Sequence, residues 1–336
     1  LSTFVGGLVI MSHEREIIDG KAQMAYAGET PWHGLGKRVP PDLSPEQMLT
    51  TAGLDWTVEK VPAHITLLKK GDKVETLVPI ERHALVRSTD QKIIDVVTPD
   101  WVPLQNIDAF KFFDEYVTAG NMQMHTAGSL RGGQIVWALA KVNDSFELFG
   151  GDRVDSYLLF TNPHRYGQTI DVRFTPIRVV CNNTLTMALN KATKNMVKMS
   201  HRCEVDPEKV KEALGIAHTK MDKYKEMATF LGSKEYTDQT VKQYFKDIFP
   251  VLTQKANSTK EMSKTAELAY NKALEGQPGV KYAPNTWWQA FNAVSFLIDH
   301  KLGKTAAGRL ESSWYGTKRN VKNDALLTAI DYATAA

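Results

Sequence analysis

Hydrophobic and polar positions alternate along the first half of the chain and recur at helical spacing along the second. Residues 57–68 and 74–80 alternate about Lys69-Lys70-Gly71-Asp72, and residues 83–87 and 92–97 about Ser88-Thr89-Asp90-Gln91. Two antiparallel hairpins are predicted from this pattern. Ahead of them, Ser44-Pro45-Glu46-Gln47 is a capped helix start with proline at its first position. Asn106 caps a further helix, along which Ile107, Phe110, Phe113, Tyr116 and Val117 form one buried stripe. Residues 123–130 and 134–142 make a meander, with Val136, Ala138 and Ala140 alternating against Trp137 and Leu139, and residues 143–151 connect it onward. Residues 157–160 and 170–181 are a second apolar pair around the turn-rich loop 161–167. Pro176 has no N–H to give to a ladder, so the later strand is predicted to lie at a sheet edge or to bulge there.

The pattern changes at Asn182-Asn183, read as a cap for a helix over residues 184–202. Leu185, Ala188, Leu189, Ala192, Met196 and Met199 fall within a sector of about 100° on such a helix. Lys191, Lys194, Lys198 and Arg202, with His201, fall on another, and no carboxylate occurs from 184 to 203. A solvated face and a phosphate-binding face are equally consistent with this, although a face kept for solubility usually mixes signs. Arg173 and Arg178, on the preceding strand, would flank the same groove.

After Asp206-Pro207 the strand pattern stops, and residues 207–231, 238–248, 258–275, 284–301 and 321–333 read as helices. Residues 304–322 form a basic connection carrying Arg309, Trp314, Tyr315, Lys318 and Arg319. Cations interleaved with aromatics suit single-stranded nucleic acid, because bases stack while cations meet phosphates. The simpler alternative is a loop pinned by its tryptophan to the preceding helix. The predicted fold is α+β, with mainly antiparallel β-sheet units each closed by a helix, followed by an α-helical C-terminal region. The divisions are a non-native or read-through leader at 1–10, an N-terminal arm and short helix at 11–56, an α+β core at 57–205 and the helical region at 206–336.

Composition narrows the function classes. The 336 residues are 43% hydrophobic and 24% charged, and the net charge is only +3, which excludes a histone-like polycation. Charge is local instead: residues 301–322 hold six Lys/Arg against one acid. Cys181 and Cys203 are the only cysteines, without Cys-x-x-Cys spacing, so neither a disulfide scaffold nor a zinc site is indicated, and a reduced, cytoplasmic protein is expected. No apolar run reaches the ~18 residues of a membrane span. No phosphate loop, dinucleotide fingerprint, metalloprotease helix or nucleophile elbow occurs, and no cofactor is expected. His33, beside Trp32 in Pro31-Trp32-His33-Gly34-Leu35-Gly36, is the most enzyme-like single residue.

Three segments together resemble a bacterial phage/plasmid-like family classed as domain of unknown function 932. They are the Pro31-to-Gly36 turn just quoted, Arg178-Val179-Val180-Cys181-Asn182-Asn183-Thr184-Leu185, and Trp287-Trp288 through Asn292-Ala293-Val294 to Asp299-His300. The resemblance extends over residues 12–332. It implies an accessory protein of phages, prophages and plasmids, working in the bacterial host cytoplasm on DNA, and it transfers no catalytic residue. Repeated sheet-plus-helix units are also similar to the cores of ring-forming single-strand annealing proteins. The leading expectation is therefore a non-catalytic, homo-oligomeric protein that binds single-stranded DNA in recombination or annealing, with no membrane partner. Lys191, Lys194, Lys198, Arg202, Arg173, Arg178, Arg309, Lys318 and Arg319 are its candidate phosphate contacts. The alternative is an anti-defence or replication-modulating protein that docks a host protein through Trp32, His33, Trp314 and Tyr315. Third comes an enzyme built on His33 with His125 or His164.

Overall fold

A computed structural model of the chain describes residues 17–18, 21–28, 36–68, 75–118, 120–178, 183–184, 196–199, 207–251 and 261–336. The first part contains β1 (Ile17–Ile18), β2 (Lys21–Ala22), β3 (Met24–Ala27), β4 (Lys37–Val39) and α1 (Pro45–Thr51). Then come β5 (Val58–Leu68), β6 (Glu75–Arg87), β7 (Ile93–Val97), α2 (Asn106–Lys111) and α3 (Asp114–Thr118). The meander follows as β8 (Met122–Leu130), β9 (Ile135–Leu148), β10 (Asp152–Pro163) and β11 (Ile170–Arg178), with the short β12 (Asn183–Thr184) and β13 (Met196–Met199). The helical region comprises α4 (Pro207–Gly232), α5 (Asp238–Ile248), α6 (Lys264–Leu268), α7 (Leu274–Gly276), α8 (Trp287–Phe296), α9 (Ala306–Trp314) and α10 (Thr317–Ala335). Single π-helical turns, Ala269–Ala273 and Leu297–Lys301, follow α6 and α8. The fold is α+β with antiparallel sheets and a helical C-terminal region, as the alternation implied.

One sheet runs β12-β11-β10-β9-β8-β3-β4, with β13 sharing the outer edge of β11. Its pairs are antiparallel except β3 with β4. Alternate residues of β9 serve two cores. Val136, Ala138, Ala140 and Val142 enter a large core shared with helices α1, α2, α4, α5, α8 and α10, while Ile135, Trp137 and Leu139 enter a smaller one under α9. Period-2 alternation with apolar residues on both faces is what a sheet covered on both sides requires. α8 is buried on every side, which makes it the central helix, and Trp288 Nε1 donates to the buried Asp152 Oδ2 at 2.9 Å. The π-turn after α8 holds Asp299 inside the helical region. Lys322 Nζ lies 2.6 Å from its Oδ1, and Ser313 Oγ donates to the same carboxylate at 2.5 Å, so α8, α9 and α10 meet on one buried charge.

β1 and β2 pair with each other, and a three-stranded sheet is formed by β5-β6-β7. The two predicted hairpins are one sheet because β6 continues through both, with a register shift opposite residues 62–64. At its base Arg87 is buried, its Nε and Nη2 donate to Asp90 at 2.9 and 2.7 Å, and its guanidinium lies 5.4 Å over the Trp56 ring. Asp90 is held down at about 2 by that arginine.

Several expectations are corrected. The helix over 184–202 does not form where the chain is described, since Asn183–Thr184 and Met196–Met199 are strands on β11. The open edge of β11 offers hydrogen-bonding groups along its length, and joining that ladder outweighs the local helical periodicity. Residues 185–195 and 200–206, with Lys191, Lys194 and Arg202, lie outside the described residues. The 304–322 connection is not a loop but α9 and the start of α10, and Thr305 caps α9 by accepting from Gly308 N. Leu310 and Trp314, one turn apart, pack on the sheet and override Gly308 and the two serines, Ser312 and Ser313. Residues 143–148 continue β9 rather than connect it. Asn106 is not the cap of α2; Gln105 stands there, and Asn106 Nδ2 donates instead to Leu54 O at 2.9 Å. By contrast, Ser44 and Gln47 form the full capping box. Pro176 faces the gap between β12 and β13 on the outer edge of β11, and its partner Ser156 sits where β10 bulges.

Candidate nucleic-acid interface

Strand register sets out the sheet face under α9 in rows. Trp137, Thr161, Asp171 and Lys198 form one row across β9, β10, β11 and β13, and Leu139, Leu159 and Arg173 form the next. A third is Lys141, Tyr157 and Thr175. α9 and the start of α10 cover part of this face. The Trp314 ring stands edge-on to Trp137 at 4.9 Å, and the Tyr315 hydroxyl shares a 2.9 Å hydrogen bond with Thr161 Oγ1.

Asp171 and Arg173 are two residues apart on β11, so their side chains share a face. Arg173 Nε and Nη2 each donate to the Asp171 carboxylate at 2.7 Å, Nη1 donates to Trp314 O at 2.8 Å, and the guanidinium lies 5.1 Å over the Tyr315 ring. Burial pushes the Asp171 carboxyl up, against the pull of Arg173, Arg319 and Lys198. Arg319 is half-buried beside them. Burial, and then the charge of Arg173, lowers its pKa, while Asp171 opposes the shift. Three cations therefore face one carboxylate, and the Arg319 side chain makes no hydrogen bond among the described residues.

The helix end adds to this imbalance. Gly316, at the N-cap of α10, supplies no side-chain cap, and the first turn holds no acid but Lys318 and Arg319. Cations at a helix N-terminus oppose the macrodipole. An anion there would meet both the cations and the positive end of the helix macrodipole. Lys318, about 100° round the helix from Arg319, turns to a second group. Arg309 Nη1 donates to Gly303 O at 3.0 Å, and Lys318 is lowered by burial and then by Arg309.

A third polar cluster lies on the same face. Asp155 accepts from Lys141 Nζ at 2.5 Å and Arg153 Nε at 2.8 Å. The His125 ring stands 5.0 Å from Tyr157, and burial, then Lys141, depresses its pKa to about 4. His164 is on the opposite face, buried against Asn106 Oδ1 at 2.8 Å and 5.4 Å from the Trp56 ring. The two histidines do not form one site.

The structure thus brings Arg173, Lys198, Arg319 and Tyr315 together, with Lys318 on the same end of α10 and Arg309 of α9 beside it. Trp314 and Tyr315 pack into the fold, which corrects their reading as outward contacts. Lys198 is exposed on a strand, not a helix. Arg178 takes its place on β11 opposite Val154 and Asn183. Trp32 and His33 lie outside the described residues, and with His33 so does the centre of the enzyme reading. Reading the sequence missed Asp171, Lys141, Arg153 and Asp155. Their signal was present as Asp171-x-Arg173 and Arg153-x-Asp155, opposite charges at strand period. Among the described residues no group of three or more His, Cys, Asp or Glu is arranged to hold a metal ion, and no helix is long and apolar enough to cross a membrane.

No curated protein and no solved structure matches the chain. Residues 93–329 match the family described as a domain of unknown function, DUF932. That span contains the Arg178-to-Leu185 and Trp287-to-His300 motifs but not the Pro31-to-Gly36 turn, so the match begins later than the resemblance suggested. It takes in β7 through most of α10, including the Arg173–Arg319 cluster, and on that match the chain belongs to the DUF932 family.

Proposed function

We propose that the chain is an accessory protein of a phage or plasmid that binds single-stranded DNA in recombination or strand annealing, without covalent chemistry. One observation carries the reading: Arg173, Lys198 and Arg319 converge on the single carboxylate of Asp171, beside an uncapped helix N-terminus. Arg173 is committed to Asp171 and Trp314, so it fixes the site, while Lys198 and Arg319 are left to meet phosphates. In this picture Trp314 and Tyr315 hold the arginine rather than stack on bases.

The test is binding of the untagged chain to a labelled single-stranded oligonucleotide across a salt series. Each phosphate neutralised on a single strand contributes about −0.7 to the slope of log affinity against log salt. Lys198→Glu combined with Arg319→Glu is expected to weaken binding about tenfold or more and to flatten the slope by about 1.4. Unchanged binding in that variant would move the contact elsewhere, and a parent chain with no salt-sensitive binding would end the reading.

A further inference from the structure

Beyond the register shift between Pro62 and His64, β5 and β6 run on as a two-stranded ribbon, pairing His64 with Pro79 through Leu68 with Glu75. Both faces of the ribbon are exposed. Ile65 (42%) and Leu67 (48%) lie on one face and Leu77 (69%) on the other. A two-stranded hairpin with nothing to bury against is marginal in water. Residues 63–68 and 76–80 contain no Asp, Glu, Lys or Arg, so this stretch does not select a polyanion or a charged peptide. β5 is the terminal strand of its sheet, and among the described residues nothing pairs with its outer side. Its first half carries the usual guards of an open edge, namely Lys60, Pro62 and the register shift. The guards end where the uncharged half begins.

We propose that this ribbon is a self-association surface, in which β5 pairs antiparallel with β5 of a second copy of the chain. Pairing across a twofold centred on Thr66 sets that threonine opposite its own copy and Ile65 opposite Leu67 of the second copy. Threonine pairs and apolar pairs across strands are favourable, and like charges placed there are not. Two three-stranded sheets become one of six strands, and a twofold contact closes on itself instead of growing.

Sedimentation of the full chain over a concentration series is the first measurement, and a dimer is expected. Thr66→Lys sets two like charges opposite one another and is expected to raise the dimer dissociation constant about tenfold or more. In a second variant, Thr66→Cys is expected to form an intermolecular disulfide under mild oxidation, while the parent chain, with only Cys181 and Cys203, does not. A parent chain that stays monomeric overturns the proposal. So does a dimer that neither variant alters or crosslinks, since it must then assemble through another surface.

Discussion

Among the described residues, Asp299 and Lys322 are an ion pair of which both side chains are withdrawn from water. Removing one partner of such a pair leaves a buried charge and costs about 3–5 kcal/mol, whereas replacing both by apolar groups is often neutral. Lys322→Met is therefore expected to destabilise by about 3–5 kcal/mol in urea unfolding, and adding Asp299→Leu is expected to recover most of the loss. A double variant no better than the single one would refute the account. His125 gives a pH dependence. Its folded-state pKa of about 4 lies below the ordinary 6.5, so the unfolded chain binds the proton first as the pH falls. Stability contributed by the neutral ring is complete above 6.5 and is lost progressively down to about 4. Unfolding midpoints followed between these values should fall less steeply in His125→Gln than in the parent chain. At this scale the sequence was informative where charge pairs keep strand period. It marked Arg319 as a cation but not its neighbours Arg173 and Asp171, which lie on a strand far away in the chain.

At the scale of the element, a full capping box was legible, while a lone asparagine was not a reliable cap and context was not legible. Ser44 and Gln47 announce α1 from four residues, and the structure forms both bonds of the box. Thr286, at the N-cap of α8, does more: it accepts from Gln289 N and donates to Ala283 O at 2.7 Å while buried. Thr286→Ala is expected to cost about 1–2 kcal/mol of unfolding free energy, against less than about 0.5 for a change at an exposed position. A loss no greater than the exposed control would mean that the tryptophans alone fix where α8 begins. The region after β11 was misread because its local period is helical while its partner is a strand edge. Met196–Met199 offers alternating positions to β11 as readily as a stripe to a helix, and only the fold chooses. α9 was misread for the opposite reason. Its glycine and serines look like a loop until Leu310 and Trp314 find the sheet.

Over the whole molecule, the division into an antiparallel α+β part and a helical part could be read from the change of period near Asp206-Pro207. What could not be read is the double use of the large sheet, which is core on one face and half core, half charged on the other. That second face needs α9, which arrives more than a hundred residues later, so no local pattern announces it. β6 has a mechanical consequence. Its thirteen residues span roughly 43 Å at about 3.3 Å each. One end belongs to the exposed ribbon, and the other is clamped at Arg87 by Asp90 and Trp56. Such a strand is a cantilever with a fixed root. A load on the tip is expected to concentrate bending at the irregular stretch opposite Ala63, where the ladder is interrupted.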